Sequence, residues 1–369
     1  MQTMTEPTAD QLHAMAKAAR AAGLHLQATT TDQRNAVLAT LGTNLRASLD
    51  SIRAANQLDL DAAKLAVERG DLSSATFKRL DVLGPDGGNL DALVQGVQDV
   101  VGLDDPLNQI TLARELDTNL NLYRVTCPIG VLLIIFEARP EVVIQISSLA
   151  IKSGNAVILK GGKEATHTLR ALHLLVQSAL TQHNLPAECV QLIEGRAAVG
   201  GLLALEKYID LVIPRGSASL VRYIKDHTRI PVMGHADGIC AVYLDKDVPT
   251  DFDVAQVIVD AKTQYPAACN AAETLLVHQD VVQSDTFKHV VGELIKAGVQ
   301  LKCDPQTLAV ASAVASTLGT SGPHPVASSA HDYDTEFLDL TLAVKSIASL
   351  PLAMEHIRDH GSGHTDVIL

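Results

Sequence analysis

Cys269 is the first residue of this chain whose type and setting can do chemistry. It lies in TQYPAACNAAETLLV, after a polar turn containing Pro266 and just before an apolar strand. The small neighbours Ala267, Ala268 and Ala271, with Asn270, leave the sulfur accessible. They also let backbone N–H groups approach it, where they can stabilise a thiolate or a developing oxyanion. Taken alone, a cysteine beside a strand is more often a small buried hydrophobe. That reading is kept for Cys127, Cys189, Cys240 and Cys303, which sit in or beside apolar strands.

Two turns have the composition of phosphate sites. Lys160-Gly161-Gly162-Lys163 follows a buried strand and opens a helix, so backbone N–H groups and a cation can meet a phosphate there. Pro214-Arg215-Gly216-Ser217 has the same place after another strand. The alternative is two ordinary strand–helix turns. The absence of GxGxxG disfavours an ordinary Rossmann dehydrogenase without excluding nucleotide binding. The chain has 14 histidines, but His235, His360 and His364 form no coherent ligand set with Cys or carboxylates, so no metal is expected. Gly361 and Gly363 argue against a helix through His360 and His364 and favour a loop.

The elements that must position these residues alternate. Residues 8–69 are rich in Ala and Leu at helical spacing and predict two or three helices, with Asp10 as an N-cap and Gly23 and Gly70 as stops. GPDGGNLD (84–91) is a turn into a short helix, and the alternation around LNLYRV (120–125) predicts a pair of strands forming a projecting hairpin. Strands at 129–136, 156–160, 189–193 and 209–213 then alternate with helices at 141–153, 164–183 and 217–227, the pattern of a parallel, doubly wound sheet. A Gly-rich turn, GHADG (234–238), closes this block. A second α/β block has strands near 239–244 and 274–278 and helices near 252–263 and 283–297. The Ser, Ala, Pro and Gly rich stretch 312–332 reads as a surface loop.

Composition narrows the function classes. With 369 residues the chain has room for two or three domains. Aromatic residues are only 3%, so the core is built of Ala, Val, Leu and Ile, as suits parallel sheets under helices. The net charge of −13 repels polyanions and argues against a nucleic-acid partner, although a local pocket for an anionic metabolite can still be basic. Five scattered cysteines without CxxC read as reduced thiols. No apolar signal-peptide core is present and the run Ile129 to Phe136 is far too short to span a bilayer, so a cytoplasmic, non-membrane protein is expected.

Five stretches together resemble one family. They are PIGVLLIIFEARPEVVIQISSLAIKSGNAVILKGGKEA (128–165), IDLVIPRGSASLVRYIK (209–225), IPVMGHADGICAVYLDKD (230–247), DAKTQYPAACNAAETLLVH (260–278) and EFLDLTLAVKSIASLPLAMEHIRDHGSGHTDVIL (336–369). FEARP, ILKGGKE, PRGS and KT-x-x-P-x-x-CN-x-x-ET occur in the order of the γ-glutamyl phosphate reductases, also called glutamate-5-semialdehyde dehydrogenases, of the aldehyde dehydrogenase superfamily. The resemblance extends over nearly the whole chain and lifts Cys269 out of the buried-thiol reading.

It implies an α/β, aldehyde dehydrogenase-like fold of two doubly wound α/β domains and an oligomerisation hairpin. On this chain those parts are an NADP-binding domain at 1–105 and 128–236, the hairpin at 106–127, and a catalytic domain at 237–369. It further implies NADPH-dependent reduction of L-glutamyl 5-phosphate to L-glutamate 5-semialdehyde in proline biosynthesis. Cys269 would attack the acyl phosphate, phosphate would leave, and hydride would reduce the thioester. Hydrolytic relatives carry a water-activating glutamate in a Glu-x-Gly-Gly turn. Here the corresponding turn is Gly234-His235-Ala236-Asp237-Gly238, without that glutamate, as suits an enzyme that must not hydrolyse its thioester.

Roles follow residue by residue from the resemblance. Asn270 or local N–H groups would hold the oxyanion. Lys160, Gly161 and Lys163 would meet the ribose or 2′-phosphate of NADP, and Gly216 and Ser217 the pyrophosphate. Glu137 and Arg139 of FEARP lie at a strand's carboxyl end, where ligands enter open α/β sheets. Arg139 faces either the anionic substrate or Glu137 in a structural pair. Lys262 and Thr263 are substrate-side candidates.

Family members continue past the point matching His364–Leu369, so the chain is expected to be C-terminally incomplete, ending on the strand VIL with an exposed edge. A homo-oligomer is expected were the C-terminus complete. Two competing readings remain: an inactive remnant that binds nucleotide or pairs with a full-length subunit, and an acylating dehydrogenase acting on a coenzyme A thioester, against which FEARP and PRGS argue.

Overall fold

The computed structural model describes residues 7–72, 74–84, 88–195, 197–234, 237–248, 252–319 and 322–369. His235 and Ala236 of the GHADG turn lie outside them. The chain divides into two units, residues 1–234 and 235–369.

The N-terminal unit opens with three helices, α1 (Ala9–Gln27), α2 (Thr31–Ala47) and α3 (Leu49–Glu68). Thr8, not Asp10, caps α1: its hydroxyl accepts from the Gln11 N–H while the Gln11 side chain returns to the Thr8 N–H. Gly23 is no stop either. It is buried inside α1, where a Cβ would meet that of Ala156 at 3.3 Å, so its missing side chain serves close packing on a strand. Gly70, at φ +78°, does end α3. There follow α4 (Ser74–Arg79), α5 (Gly88–Gly102), and the antiparallel pair β1 (Ile110–Asp117) and β2 (Leu120–Val125).

The alternating block is β3 (Val131–Phe136), α6 (Val142–Lys152), β4 (Ala156–Lys160), α7 (Thr166–Gln182), β5 (Val190–Ile193), α8 (Ala197–Leu203), β6 (Leu211–Arg215) and α9 (Ala218–Asp226). Helix α8 escapes the sequence reading because seven residues carry too little period. The strands form a parallel sheet in the order β5-β4-β3-β6. Along β3, Leu132, Ile134 and Phe136 join the core under α2, α3, α5, α6 and α7, while Val131, Leu133 and Ile135 join that under α1, α8 and α9. A strand buried on both faces must be apolar throughout, which is why VLLIIF shows no alternation.

The C-terminal unit runs β7 (Cys240–Leu244), α10 (Val254–Thr263), β8 (Ala272–His278), α11 (Asp285–Lys296), β9 (Gln300–Cys303), α12 (Pro305–Leu318), β10 (Val326–Ala327), β11 (Thr341–Ile347), α13 (Leu350–His360) and β12 (Val367–Ile368). Its sheet order is β10-β9-β11-β8-β7-β12. The expected loop at 312–332 is corrected by α12. Asp304 caps that helix by accepting from the Thr307 N–H, Pro305 fills its first turn, and Gly319 at φ +56° stops it. Alanine, read there as loop composition, is the best helix former, and Val310, Ala311 and Ala315 are buried. His360 is the last residue of α13, and His364 lies beyond it.

Candidate active site

In the N-terminal unit the turns after β3, β4 and β6 meet. The sheet order places β4 on one side of β3 and β6 on the other, so the strand order reverses between β3 and β6 while the strands stay parallel. Ligands enter open α/β sheets at the carboxyl ends of strands beside such a switch. The Glu164 carboxylate, from the turn after β4, accepts the Ala138 N–H at 2.6 Å and so ties that turn to FEARP. Ala138 sits at φ +47°, a conformation costly for a residue with a Cβ. A side chain at Gly162 would collide with that same carboxylate and displace it from Ala138. Gly216 stands against Glu137, whose Oε2 would be 2.8 Å from a Cβ.

The charged side chains around these turns point outward: Glu137, Arg139, Lys163 and Arg215 are exposed, and Lys160 is half-buried. Glu137 and Arg139 form no ion pair with each other. Arg139 acts on Glu141, whose pKa burial raises while its own backbone N–H, Arg139 and Arg79 pull it back. Ser217 precedes α9 without capping it, its hydroxyl lying 3.1 Å from that of Ser219. The first N–H groups of α9 thus have no side-chain cap, and the helix dipole favours an anion there.

In the C-terminal unit Cys269 lies in the turn between α10 and β8. The turn is held by hydrogen bonds from the Ala268 N–H to the Tyr265 carbonyl (2.9 Å) and from the Ala271 N–H to the Ala268 carbonyl (3.0 Å). Cys269 is half-buried and Asn270 exposed. Burial pushes the Cys189 and Cys303 thiols up to about 12 and that of Cys240 to about 11, so these three are protonated and shielded at neutral pH. Cys127 departs from the sequence expectation: it follows β2 and is exposed.

The Cys269 carbonyl is gripped from β7. Cys240 Sγ donates to it at 3.3 Å, and Gly238 packs so closely on the same peptide that a Cβ would collide with the carbonyl. Glu336 lies beside Gly238, its Oε1 2.7 Å from where a Cβ would stand. Burial raises the Glu336 pKa, Asp237 adds to the rise, and the Gly238 N–H and His364 oppose it.

Lys262 does not present its charge to solvent. Its side chain is 0% exposed and its Nζ lies 2.6 Å from Glu273 Oε2, also 0% exposed, so its charge is taken up by a protein carboxylate rather than offered to a ligand. Thr263 donates its hydroxyl to the Val259 carbonyl within α10 at 2.8 Å. Sequence reasoning gave no role to Gly238, Glu273 or Glu336. Glu273 had a signal, a lone carboxylate at the head of the apolar strand AETLLVH; Glu336 had none. Among the described residues no group of three or more His, Cys, Asp or Glu is placed to hold a metal ion, and no helix is long and apolar enough to cross a membrane.

The comparisons with known proteins agree on one kinship. The model of the aldehyde dehydrogenase family matches residues 1–314. A probable gamma-glutamyl phosphate reductase of Schizosaccharomyces pombe is 49% identical over 93% of this chain and 74% of its own length. Gamma-glutamyl phosphate reductase 1 of a Synechocystis strain is 45% identical over 98% of this chain and 79% of its own. The crystal structure of the gamma-glutamyl phosphate reductase of Thermotoga maritima superposes with a TM-score of 0.87 at 31% identity, covering 97% of this chain and 82% of that one.

Proposed function

Because the chain belongs to the aldehyde dehydrogenase family, and within it to the gamma-glutamyl phosphate reductases, we propose that it reduces L-glutamyl 5-phosphate to L-glutamate 5-semialdehyde, with NADPH, through a thioester on Cys269. The observation that carries this reading is the contrast among the thiols: Cys269 alone is half-buried in a turn of small residues, while three others are sealed in the core.

The strand-end turns of the N-terminal unit fit a dinucleotide. The absent side chains of Gly162 and Gly216 let the Glu164 and Glu137 carboxylates pack against the turns, and α9 offers uncapped N–H groups for a pyrophosphate beside Gly216 and Ser217. Lys160, Gly161 and exposed Lys163 would hold the ribose and its 2′-phosphate, the feature that favours NADPH over NADH. When bound, the reduced nicotinamide supplies a hydride.

In the proposed sequence the Cys269 thiolate forms a C–S bond to the acyl carbon, the C–O bond to phosphate breaks, and inorganic phosphate leaves. After hydride reaches the thioester carbon, the C–S bond breaks, releasing the aldehyde and regenerating the thiolate. Asn270 and the turn's N–H groups would stabilise the oxyanion at each tetrahedral stage. Arg139, exposed and without a partner in Glu137, would face an anionic group of the substrate, and Thr263 is a lesser contact. The 234–238 segment lacks the water-activating glutamate of hydrolytic relatives, which preserves the thioester for reduction. The β1–β2 hairpin is the proposed oligomerisation arm: Ile110, Leu120, Leu122, Tyr123 and Val125 are all exposed on it, more apolar surface than a two-stranded ribbon keeps in water. A cytoplasmic location completes the reading.

The test is the reverse reaction, phosphate-dependent reduction of NADP with glutamate 5-semialdehyde, set beside Cys269→Ser. Turnover should fall by about 10⁴-fold or more in the variant. Absent turnover from folded wild-type protein overturns the reading, as does full activity in the variant.

A further inference from the structure

The buried Lys262–Glu273 pair stands where a structural salt bridge is hard to justify by stability alone. Both side chains are 0% exposed, and two charges withdrawn from water cost more than their attraction returns unless further hydrogen bonds complete the site. Here both carboxylate oxygens are engaged. Glu273 Oε2 lies 2.6 Å from Lys262 Nζ, and Oε1 accepts the Leu338 N–H at 3.1 Å.

The position of the pair is telling. Lys262 is in the last turn of α10 and Glu273 is the second residue of β8, so the pair closes the ends of the turn that carries Cys269. The third partner, Leu338, sits at φ +59°, a backbone conformation that disfavours any residue with a side chain. The bond from its N–H to a buried carboxylate helps hold it there. Two residues earlier in the same strip is Glu336, whose Oε1 would lie 2.7 Å from a Cβ on Gly238, and Gly238 abuts the Cys269 carbonyl. A closed circuit of contacts therefore runs from Lys262 to Glu273, Leu338, Glu336 and Gly238, and returns to Cys269.

We propose that the Lys262–Glu273 pair is a positioning device for the nucleophile, clamping both ends of the Cys269 turn and, through Leu338, the strip that bears Glu336. Neither residue touches substrate in this role; each acts through the backbone around Cys269. The inference rests on Cys269 being the nucleophile of the proposed reaction. A displacement of the attacking atom by about 1 Å is enough to cost about 100-fold in rate.

The decisive variant removes both charges together, Lys262→Met with Glu273→Leu, so that no uncompensated charge is left inside. Three quantities are read on the full chain: melting temperature, kcat and KM for NADP, and the rate at which iodoacetamide alkylates Cys269 relative to exposed Cys127 in the same molecules, followed by peptide mass spectrometry. A positioning role predicts a folded protein whose kcat falls about 100-fold with KM for NADP unchanged, and whose Cys269-to-Cys127 alkylation ratio falls about tenfold. Wild-type kcat and ratio in the folded double variant would show the pair to be structural only and overturn the proposal. Should the double variant not fold, Glu273→Gln keeps the shape and is read by the same ratio; a reduced ratio supports the clamp and an unchanged one refutes it. The alkylation ratio needs no substrate. A reductase that shows no turnover but whose ratio responds to these substitutions loses the proposed reaction and keeps the positioning device.

Discussion

In the N-terminal unit Glu137, Arg139, Lys163 and Arg215 stand exposed at strand ends, whereas in the C-terminal unit Lys262 and Glu273 are fully enclosed at the two ends of the Cys269 turn. The exposed set costs little to keep, because water screens it and the side chains can adjust to a ligand. Its fixed part is backbone: the glycines, the Glu164 tie to Ala138 and the start of α9. The enclosed pair is expensive and tolerates no missing partner, and in return it fixes geometry. Binding a long, charged cofactor needs many adaptable contacts, while forming one bond at one sulfur needs a rigid frame. The two regions therefore should fail differently when altered.

The sharpest break is at the frame. Gly238→Ala sets a methyl group against the Cys269 carbonyl, and because that neighbour is backbone it can yield only by moving the turn. The expected result is a loss of about 100-fold in kcat with little change in KM for NADP. Steady-state kinetics decides it: a variant with unaltered kcat would mean that the Cys269 turn is softer than the enclosed pair implies.

At the adaptable surface the effect should be smaller and of another kind. Lys163→Ala removes one exposed cation at the turn after β4, and the loss expected is about tenfold in KM for NADPH, with kcat kept and the response to NADH nearly unchanged. Equal losses with both coenzymes would move the 2′-phosphate contact away from Lys163. A fall in kcat without a rise in KM would place Lys163 in the frame and erase the contrast between the regions.

What the sequence made legible follows the same division. The strand-end turns are local: KGGK and PRGS each lie within a few residues of a strand that periodicity marks, so their place could be read directly. The Cys269 turn was readable at the sulfur and hidden around it. Glu336 and Leu338 reach the site from a strip far along the chain, and no local pattern says that Glu273 will meet Lys262 across the turn. Lys262 was consequently expected at the substrate, when burial gives its charge to a carboxylate. The helix at 305–318 is hidden for a different reason: its Ala and Ser match loop composition, while the capping Asp304 and the stop at Gly319 carry the helix signal.

The smallest effect concerns acid, and it too separates the units. In the C-terminal unit His356 is 6% exposed, its Nε2 lacks a hydrogen-bond partner, and its Nδ1 faces Lys345 Nζ at 3.2 Å. Burial, with Lys345 and His360, lowers its pKa to about 4 against the pull of Asp334 and Asp359. The folded protein thus holds His356 neutral where the unfolded chain, near 6.5, would take up a proton. The stability this contributes is whole above pH 6.5 and is lost as the pH falls from there toward 4. Between pH 7 and 5.5 the loss should be about 1 kcal/mol. His173 in the N-terminal unit is also lowered by burial, but its ring nitrogen lies 2.9 Å from the Val190 carbonyl, which offsets part of the shift. Denaturant unfolding of wild type and His356→Phe at both pH values checks this, since phenylalanine can keep the edge-on packing against Tyr333 and cannot be protonated. The stability of the wild type should fall on acidification by about 1 kcal/mol more than that of the variant. An equal acid loss in both proteins would trace it to another group and leave His356 a packing residue.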